Sequence, residues 1–280
     1  MATLKSERSI TLPNWWYIIP TYLAVWSTVF GLWGYFGGQS AFDAFGLEVS
    51  AHPFIYGVYG ARYVGIAVGL WLALYLFRTE KAILTMLIVR LVMDVLDTIS
   101  GFQTGMMAFN ATNLITPFVM FLGPNLFTIW YLNRASSNQA KEECKMIPET
   151  LPSQWWWYLI PAYLTLWSIG FGIWNFVDGQ GMFKQFQIAF EESSPADAFI
   201  IKNSAARYLG IALALVIGIW ILPTPEAALT ALGARLLMDI LDWVAGLQTG
   251  ILEQPVTGSI QSFLMFVGPN LLTIILLFVL

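Results

Sequence analysis

Arg90-Leu-Val-Met-Asp94-Val-Leu-Asp97, followed by Gly101-Phe-Gln103-Thr-Gly105, returns 145 residues later as Arg235-Leu-Leu-Met-Asp239-Ile-Leu-Asp242, followed by Gly246-Leu-Gln248-Thr-Gly250. Between Met86–Gly105 and Ala231–Gly250, 11 of 20 positions are identical, more than shared hydrophobicity alone yields. Both copies lie in stretches apolar enough for a bilayer, so two arginines and four carboxylates stand where lipid penalises charge most. Fold and function are both framed by those groups.

Working outward, the duplication covers the chain. Pro20 aligns on Pro161, Tyr22 on Tyr163, Trp26 on Trp167, Gly31 on Gly172 and Trp33 on Trp174 at an offset of 141. From Arg62 on Arg207 to Asn125 on Asn270 the offset is 145, so the second copy carries four extra residues in its first outer loop. Residues 1–133 read as one four-helix repeat, 134–153 as a polar cytoplasmic tether with no fold of its own, and 154–280 as the second repeat. An even number of spans per repeat makes the two parallel, related by a pseudo-two-fold axis along the membrane normal.

Composition fixes the solvent. Hydrophobic residues make up 58% of the 280 and charged residues 11%, about half the charged share of a soluble domain, and mean hydropathy is +0.67. The fold class expected is all-α: a polytopic membrane protein with eight transmembrane helices near Trp15–Gly37, Val58–Phe77, Ala82–Gly105, Thr116–Asn133, Trp155–Val177, Ala205–Leu222, Ala227–Leu252 and Ser262–Leu280. Each matches the length needed to cross a hydrocarbon core of about 30 Å. Continuous apolar runs such as Ile66–Phe77 do not alternate as barrel strands would. The first apolar stretch is too long and too aromatic for a signal-peptide core, and its near-copy recurs at Trp155.

Lys5, Arg8, Arg78, Lys81, Arg134, Lys141 and Lys145 fall at one set of ends, and the opposite loops are assigned only Lys184 and Lys202. The positive-inside rule then puts both termini in the cytoplasm. Trp15, Trp16 and Tyr17, and again Trp155, Trp156, Trp157 and Tyr158, read as interfacial anchors. With one cysteine, Cys144, and one histidine, His52, no disulfide or Cys/His metal set can form within the chain. None of the six lysines falls deep in a span, so a Schiff-base chromophore has no attachment point. No cofactor or metal is expected, and a net charge of -4 gives no sign of nucleic acid as a partner.

At 100° per residue, Arg90, Asp94, Asp97, Gly101 and Thr104 share one stripe of the third helix. A rise of about 1.5 Å per residue from Lys81 puts Arg90 about 14 Å, Asp94 about 20 Å and Asp97 about 24 Å up, with Arg62 level with Asp97 and Asn125 midway between Arg90 and Asp94. Like charge and desolvation each disfavour ionising both aspartates, and Arg62 and Arg90 supply cations that do not deprotonate. Each repeat is therefore expected to hold a neutral two-plus-two cluster: Arg62, Arg90, Asp94, Asp97 with Asn125, and Arg207, Arg235, Asp239, Asp242 with Asn270. Gly123-Pro124-Asn125 and Gly268-Pro269-Asn270 add a bend that leaves the carbonyls of Met120 and Met265 without helical donors. Gly31, Gly65, Gly69, Gly172, Gly210 and Gly218 read as helix contacts, and Phe42, Phe45, Phe183, Phe186 and Phe190 as membrane-surface residues of the outer loops.

A four-span unit with an arginine near the outer end of its second helix and Arg/Asp residues in its third resembles the DoxX-like group of small four-helix membrane proteins. The resemblance covers both repeats, although the doubling departs from the single-unit pattern. It implies accessory membrane subunits without assigning roles to individual residues.

Three functions stay open. The clusters bind or conduct a small polar or amphipathic ligand or protons, in which case Asp94→Asn abolishes activity and spares folding. Alternatively the chain is a non-catalytic accessory or scaffold subunit whose Trp, Phe and Leu surfaces meet lipids and other membrane subunits. The third is an intramembrane enzyme acting on a lipid or quinone, for which no nucleophile, histidine or metal set is present. A fourth possibility, that the ion pairs merely pin helices, weighs against all three.

Overall fold

A computed structural model describes residues 12–44, 49, 52–136, 150–185, 194–252 and 260–280, with the backbone of Arg8–Ser9 and Glu142–Glu143. The fold is all-helical; a two-residue antiparallel pairing sets Arg8 opposite Glu143 and Ser9 opposite Glu142. That pairing ties the N-terminal segment to the segment expected to be a tether. The rest of that connector lies largely outside the described residues.

The helices are α1 (Ile18–Gly37), α2 (Gln39–Asp43), α3 (Pro53–Trp71), α4 (Glu80–Gln103), α5 (Ala111–Pro117), α6 (Gly123–Ser136), α7 (Leu159–Gln185), α8 (Pro195–Val216), α9 (Pro225–Gln248) and α10 (Gly268–Val279). Wide π-helical turns extend α3 through Leu72–Phe77 and α8 through Ile217–Ile221, join α5 to α6 through Phe118–Leu122, and lead into α10 through Phe263–Val267. Five of the resulting rods are long and apolar enough to cross a membrane: Pro53–Phe77, Ala111–Ala135, Trp155–Gln185, Pro195–Ile221 and Ile260–Val279. The other three long helices are α1, diluted by Trp, Tyr and Gly, and α4 and α9, which carry the charges.

Local chemistry sets the ends. Thr79 and Thr224 accept at Oγ1 from the amides of Ala82 and Ala227 at the starts of α4 and α9, and Asn110 accepts from Asn113 at the start of α5. Such caps satisfy amides that the first turn leaves without partners. The duplicated Gly-X-Gln-Thr-Gly segment is a helix stop. Thr104 and Thr249 donate to the carbonyls four residues earlier, and Gly105 and Gly250 each turn into the left-handed region at φ 75°, where glycine carries no Cβ penalty.

Helices α3, α4, α8 and α9 form the interior, with α1 against α3, α7 against α8, α6 against α4 and α10 against α9. The span windows of α3 and α8 are 72% and 67% buried, whereas those through α5–α6 and α10 are 11% and 22% buried. Leu166, Val177, Phe36 and Ile18 point outward. The interior pairing is crossed: α3 packs more extensively on α9, and α4 on α8, than α3 does on α4 or α8 on α9.

Glycines make the close approaches. A Cβ on Gly65 would lie 2.8 Å from the Ala234 carbonyl, across the α3–α9 seam, and Gly31, Gly69, Gly172, Gly210 and Gly218 likewise abut Val64, Met86, Leu209, Met93 and Ala227. Where dispersion rather than water drives helix association, small residues gain most at such seams.

Three sequence expectations change. Lys184 and Lys202 belong to α7 and α8 rather than to loops. Lys202 donates to the Phe176 carbonyl at 2.9 Å, just before Asp178, whose backbone (φ −144°, ψ 69°) kinks α7. Phe42 and Phe183 are buried in a second core with Tyr56 and Tyr59 instead of lying on a membrane surface; Phe45, Phe186 and Phe190 lie outside the described residues. Trp15 and Trp155 are exposed as anchors would be, but Trp16 and Trp157 enter the core, the latter donating to the Thr273 carbonyl at 3.3 Å.

Candidate functional site

The charged stripe of α4 and α9 points inward as its spacing requires, one turn apart. Arg90 reaches Asp94 at 2.9 Å, and Arg235 Nε lies 2.7 Å from Asp239, both pairs i,i+4. Arg90 also donates to Ser27 on α1 at 3.2 Å, and Arg235 to Ser168 on α7. Each outer helix thus supplies a hydroxyl to the guanidinium of the interior helix.

The remaining two pairs correct the expected clusters. Arg62, expected in the cluster of its own repeat, instead meets Asp242 at 3.3 Å, while Arg207 meets Asp97 at 2.6 Å. The physical reason is the crossed interior: α3 lies on α9 and α8 lies on α4, so the carboxylate nearest each arginine comes from the far end of the sequence. Each arginine also rests on a tyrosine of the opposite half, Arg62 over Tyr208 at 4.1 Å and Arg207 over Tyr63 at 4.0 Å. A desolvated cation–π contact of this kind contributes on the order of 1–2 kcal/mol. Four arginines, 0 to 2% exposed, and four aspartates therefore form two neutral groups, each built from both halves.

Asn125 and Asn270 are fully buried and are not among the residues lining the cavity beside these charges, although Asn270 lies against Asp239. Asn125 Nδ2 donates to the Leu87 carbonyl at 3.1 Å and so pins α6 to α4 one turn below Arg90, lower than its expected height. The carbonyl of Met265, expected to lose its helical donor to Pro269, accepts from the Tyr163 hydroxyl at 3.2 Å. Much of the expected polar notch is thereby consumed by helix packing.

A cavity of about 300 Å³ opens beside the Arg62–Asp242 pair. Arg62, Arg235, Asp239 and Asp242 contribute its charges, Asn175 and Ser262 its neutral polar groups, and Trp167, Phe171, Tyr208, Trp243 and Phe266 its aromatic walls. Phe54 and Val58 join Arg62 from the first half, so the space exists only where the two halves meet. Its size sits at the lower end of the range of about 300–1,000 Å³ typical of small-molecule sites, and apolar walls with a few convergent polar groups are the usual make-up. Among the described residues, no group of three or more His, Cys, Asp and Glu is placed to hold a metal.

The two arginine–aspartate crossings differ. Arg207 grips both oxygens of Asp97, Nη1 to Oδ1 and Nη2 to Oδ2, each at 2.6 Å. Among the described residues, Asp242 makes one ion-pair contact, and its buried Oδ1 has no hydrogen-bond partner. Both carboxylates are about equally exposed, at 18% and 17%, so the difference lies in the pairing.

Sequence reasoning missed the tyrosines, the serines and Asn175. The first two were legible as repeats, since Arg62-Tyr63 returns as Arg207-Tyr208 and Ser27 as Ser168. Asn175 aligns with Gly34, so duplication gave no signal for it. Neither a family model, nor a curated protein, nor a solved structure matches the chain.

Proposed function

We propose that this is an eight-span integral membrane protein, built as two parallel four-helix repeats with both termini in the cytoplasm, that binds a small polar or amphipathic ligand between its halves. One observation carries the reading: the cavity beside Arg62, Arg235, Asp239 and Asp242 is lined jointly by both halves, and one of its lining carboxylates, Asp242, has an oxygen without a hydrogen-bond partner among the described residues. An unsatisfied buried group costs about 1–3 kcal/mol; Asp94 Oδ2 in the other charge group lacks a partner among the described residues too, so the adjoining cavity is what sets the Asp242 side apart. A second support is the recurrence of matched contacts at positions 141 or 145 apart, including the Arg–Asp i,i+4 pairs, the Arg–Ser contacts and the positive-φ glycines. The accessory-subunit reading draws on exposed Trp, Phe and Leu side chains, which lipid contacts explain equally well, and the enzyme reading gains no nucleophile from the fold.

The test is retention of a native ligand. Protein purified in mild detergent from its membrane, and protein incubated with extract of that membrane, are released into a native mass spectrometer. A bound small molecule that Asp242→Asn loses while the variant remains folded supports the proposal. A wild-type protein that neither carries nor captures any molecule refutes it.

A further inference from the structure

Resting on that reading, the two halves show how the work is divided and what the ligand must look like. Most residues by which the second half lines the cavity are repeated in the first half, but Asn175 and Trp243 are not. Asn175 occupies the position of Gly34, and Trp243 that of Thr98. Asn175 is 1% exposed, lines the cavity, and neither its Oδ1 nor its Nδ2 has a hydrogen-bond partner among the described residues. A buried amide without partners is costly. So is the unmatched Oδ1 of Asp242, another residue of the cavity lining.

The charges around the cavity sum to zero: Arg62 and Arg235 against Asp239 and Asp242. A net charge on the ligand would therefore enter a low-dielectric site without a counter-charge to meet it. What is missing is hydrogen bonding. Asp242 Oδ1 needs a donor, whereas Asn175 offers both a donor and an acceptor. A hydroxyl or carboxamide supplies both to the pair. Rings make up much of the remaining wall, with Trp167, Phe171 and Trp243 among them beside aliphatic Val58, Met182, Ile251 and Leu252, and they favour a flat apolar body through offset or edge-on contact.

We propose that the Asp97–Arg207 crossing is a permanent strut, and that Asn175 with Asp242 forms the recognition pair for an uncharged cyclic compound bearing a hydroxyl or carboxamide. Asn175 sets specificity in this scheme, and the duplication supplies its own control because the first half lacks it.

The experiment uses the full chain in nanodiscs, with empty nanodiscs subtracted, and a panel sharing one body: 2-naphthol, 2-naphthamide, naphthalene and 2-naphthoate. Equilibrium dialysis should show saturable one-to-one binding of 2-naphthol or 2-naphthamide, with naphthalene and naphthoate at least tenfold weaker. Asn175→Leu, which keeps the bulk and removes the amide, and Asn175→Gly, which restores the residue of the first half, should each weaken 2-naphthol at least tenfold. Asp97→Asn should lower thermal stability and leave the affinity of the folded fraction within twofold. Naphthoate binding as tightly as 2-naphthol overturns the neutral-ligand assignment, and affinity unchanged in both Asn175 variants overturns the recognition pair. If no panel member binds while membrane extract still yields a retained molecule, the ligand class is wrong and the binding function stands; if neither binds, both fall.

Discussion

Removing Asp97 should cost far more than removing Asp242, although the two aspartates are repeats of one another. In the first crossing, Asp97→Asn takes a charge and one acceptor from Arg207, which is 0% exposed and holds both carboxylate oxygens at 2.6 Å. Breaking a buried pair by deleting one partner leaves a stranded charge and costs about 3–5 kcal/mol. In the second crossing the lost interaction is one contact at 3.3 Å, and Arg62, itself only 1% exposed, is left lining a cavity rather than enclosed, so the loss is closer to that of one hydrogen bond to a charged group, about 1.5–3 kcal/mol. The expected difference of about 2 kcal/mol is a more than tenfold change in the unfolding constant. Unfolding in mixed micelles by titration with a denaturing detergent gives both values, and an Asp97→Asn/Arg207→Gln double-mutant cycle isolates the pair. Neutral hydrogen bonds between membrane helices average only about 0.6 kcal/mol in such cycles, because the unfolded reference also finds partners. A coupling energy that small, or equal losses for the two aspartates, would refute the argument from geometry.

Three further outcomes follow from the packing. Residues 1–136 and 150–280, expressed as separate chains in one membrane, should co-purify, and either alone should be degraded, since the interior bundle draws two helices from each; stable, separately soluble halves would contradict the crossed interior. Gly65→Leu should lower the melting temperature by well over 5 °C, because its Cβ would sit 2.8 Å from the Ala234 carbonyl and push α3 off α9. Gly105→Ala should cost about 1 kcal/mol by calorimetry or denaturant midpoint, and purely through the backbone: φ is 75° and a Cβ there meets nothing within 4 Å.

Helical structure was legible because hydrophobic length and periodicity are local quantities. The i,i+4 pairing of Arg90 with Asp94 is fixed by helix pitch alone, whereas the helices stop at Gln103 and Gln248, short of the expected ends at Gly105 and Leu252, because the Thr-Gly pairs turn the chain there. Burial of Trp16, Trp157, Phe42 and Phe183 was not legible, since an aromatic at a helix end is equally suited to an interface or a core until its neighbours are known. Asn175 was hidden for a related reason: one amide in an apolar helix is ordinary, and its meaning comes from a cavity formed by residues from Phe54 to Phe266.

By itself the sequence determined that the chain is helical, that it repeats, and that each copy drives a neutral set of arginines and aspartates inward. Only the tertiary structure decided the partners. Arg62 and Arg207 hold matching places in the sequence, as do Asp97 and Asp242, so pairing within or between halves satisfies charge balance equally well. Packing broke that tie, because glycine-lined seams let α3 approach α9, and the α3–α9 and α4–α8 contacts carried each arginine to the opposite copy.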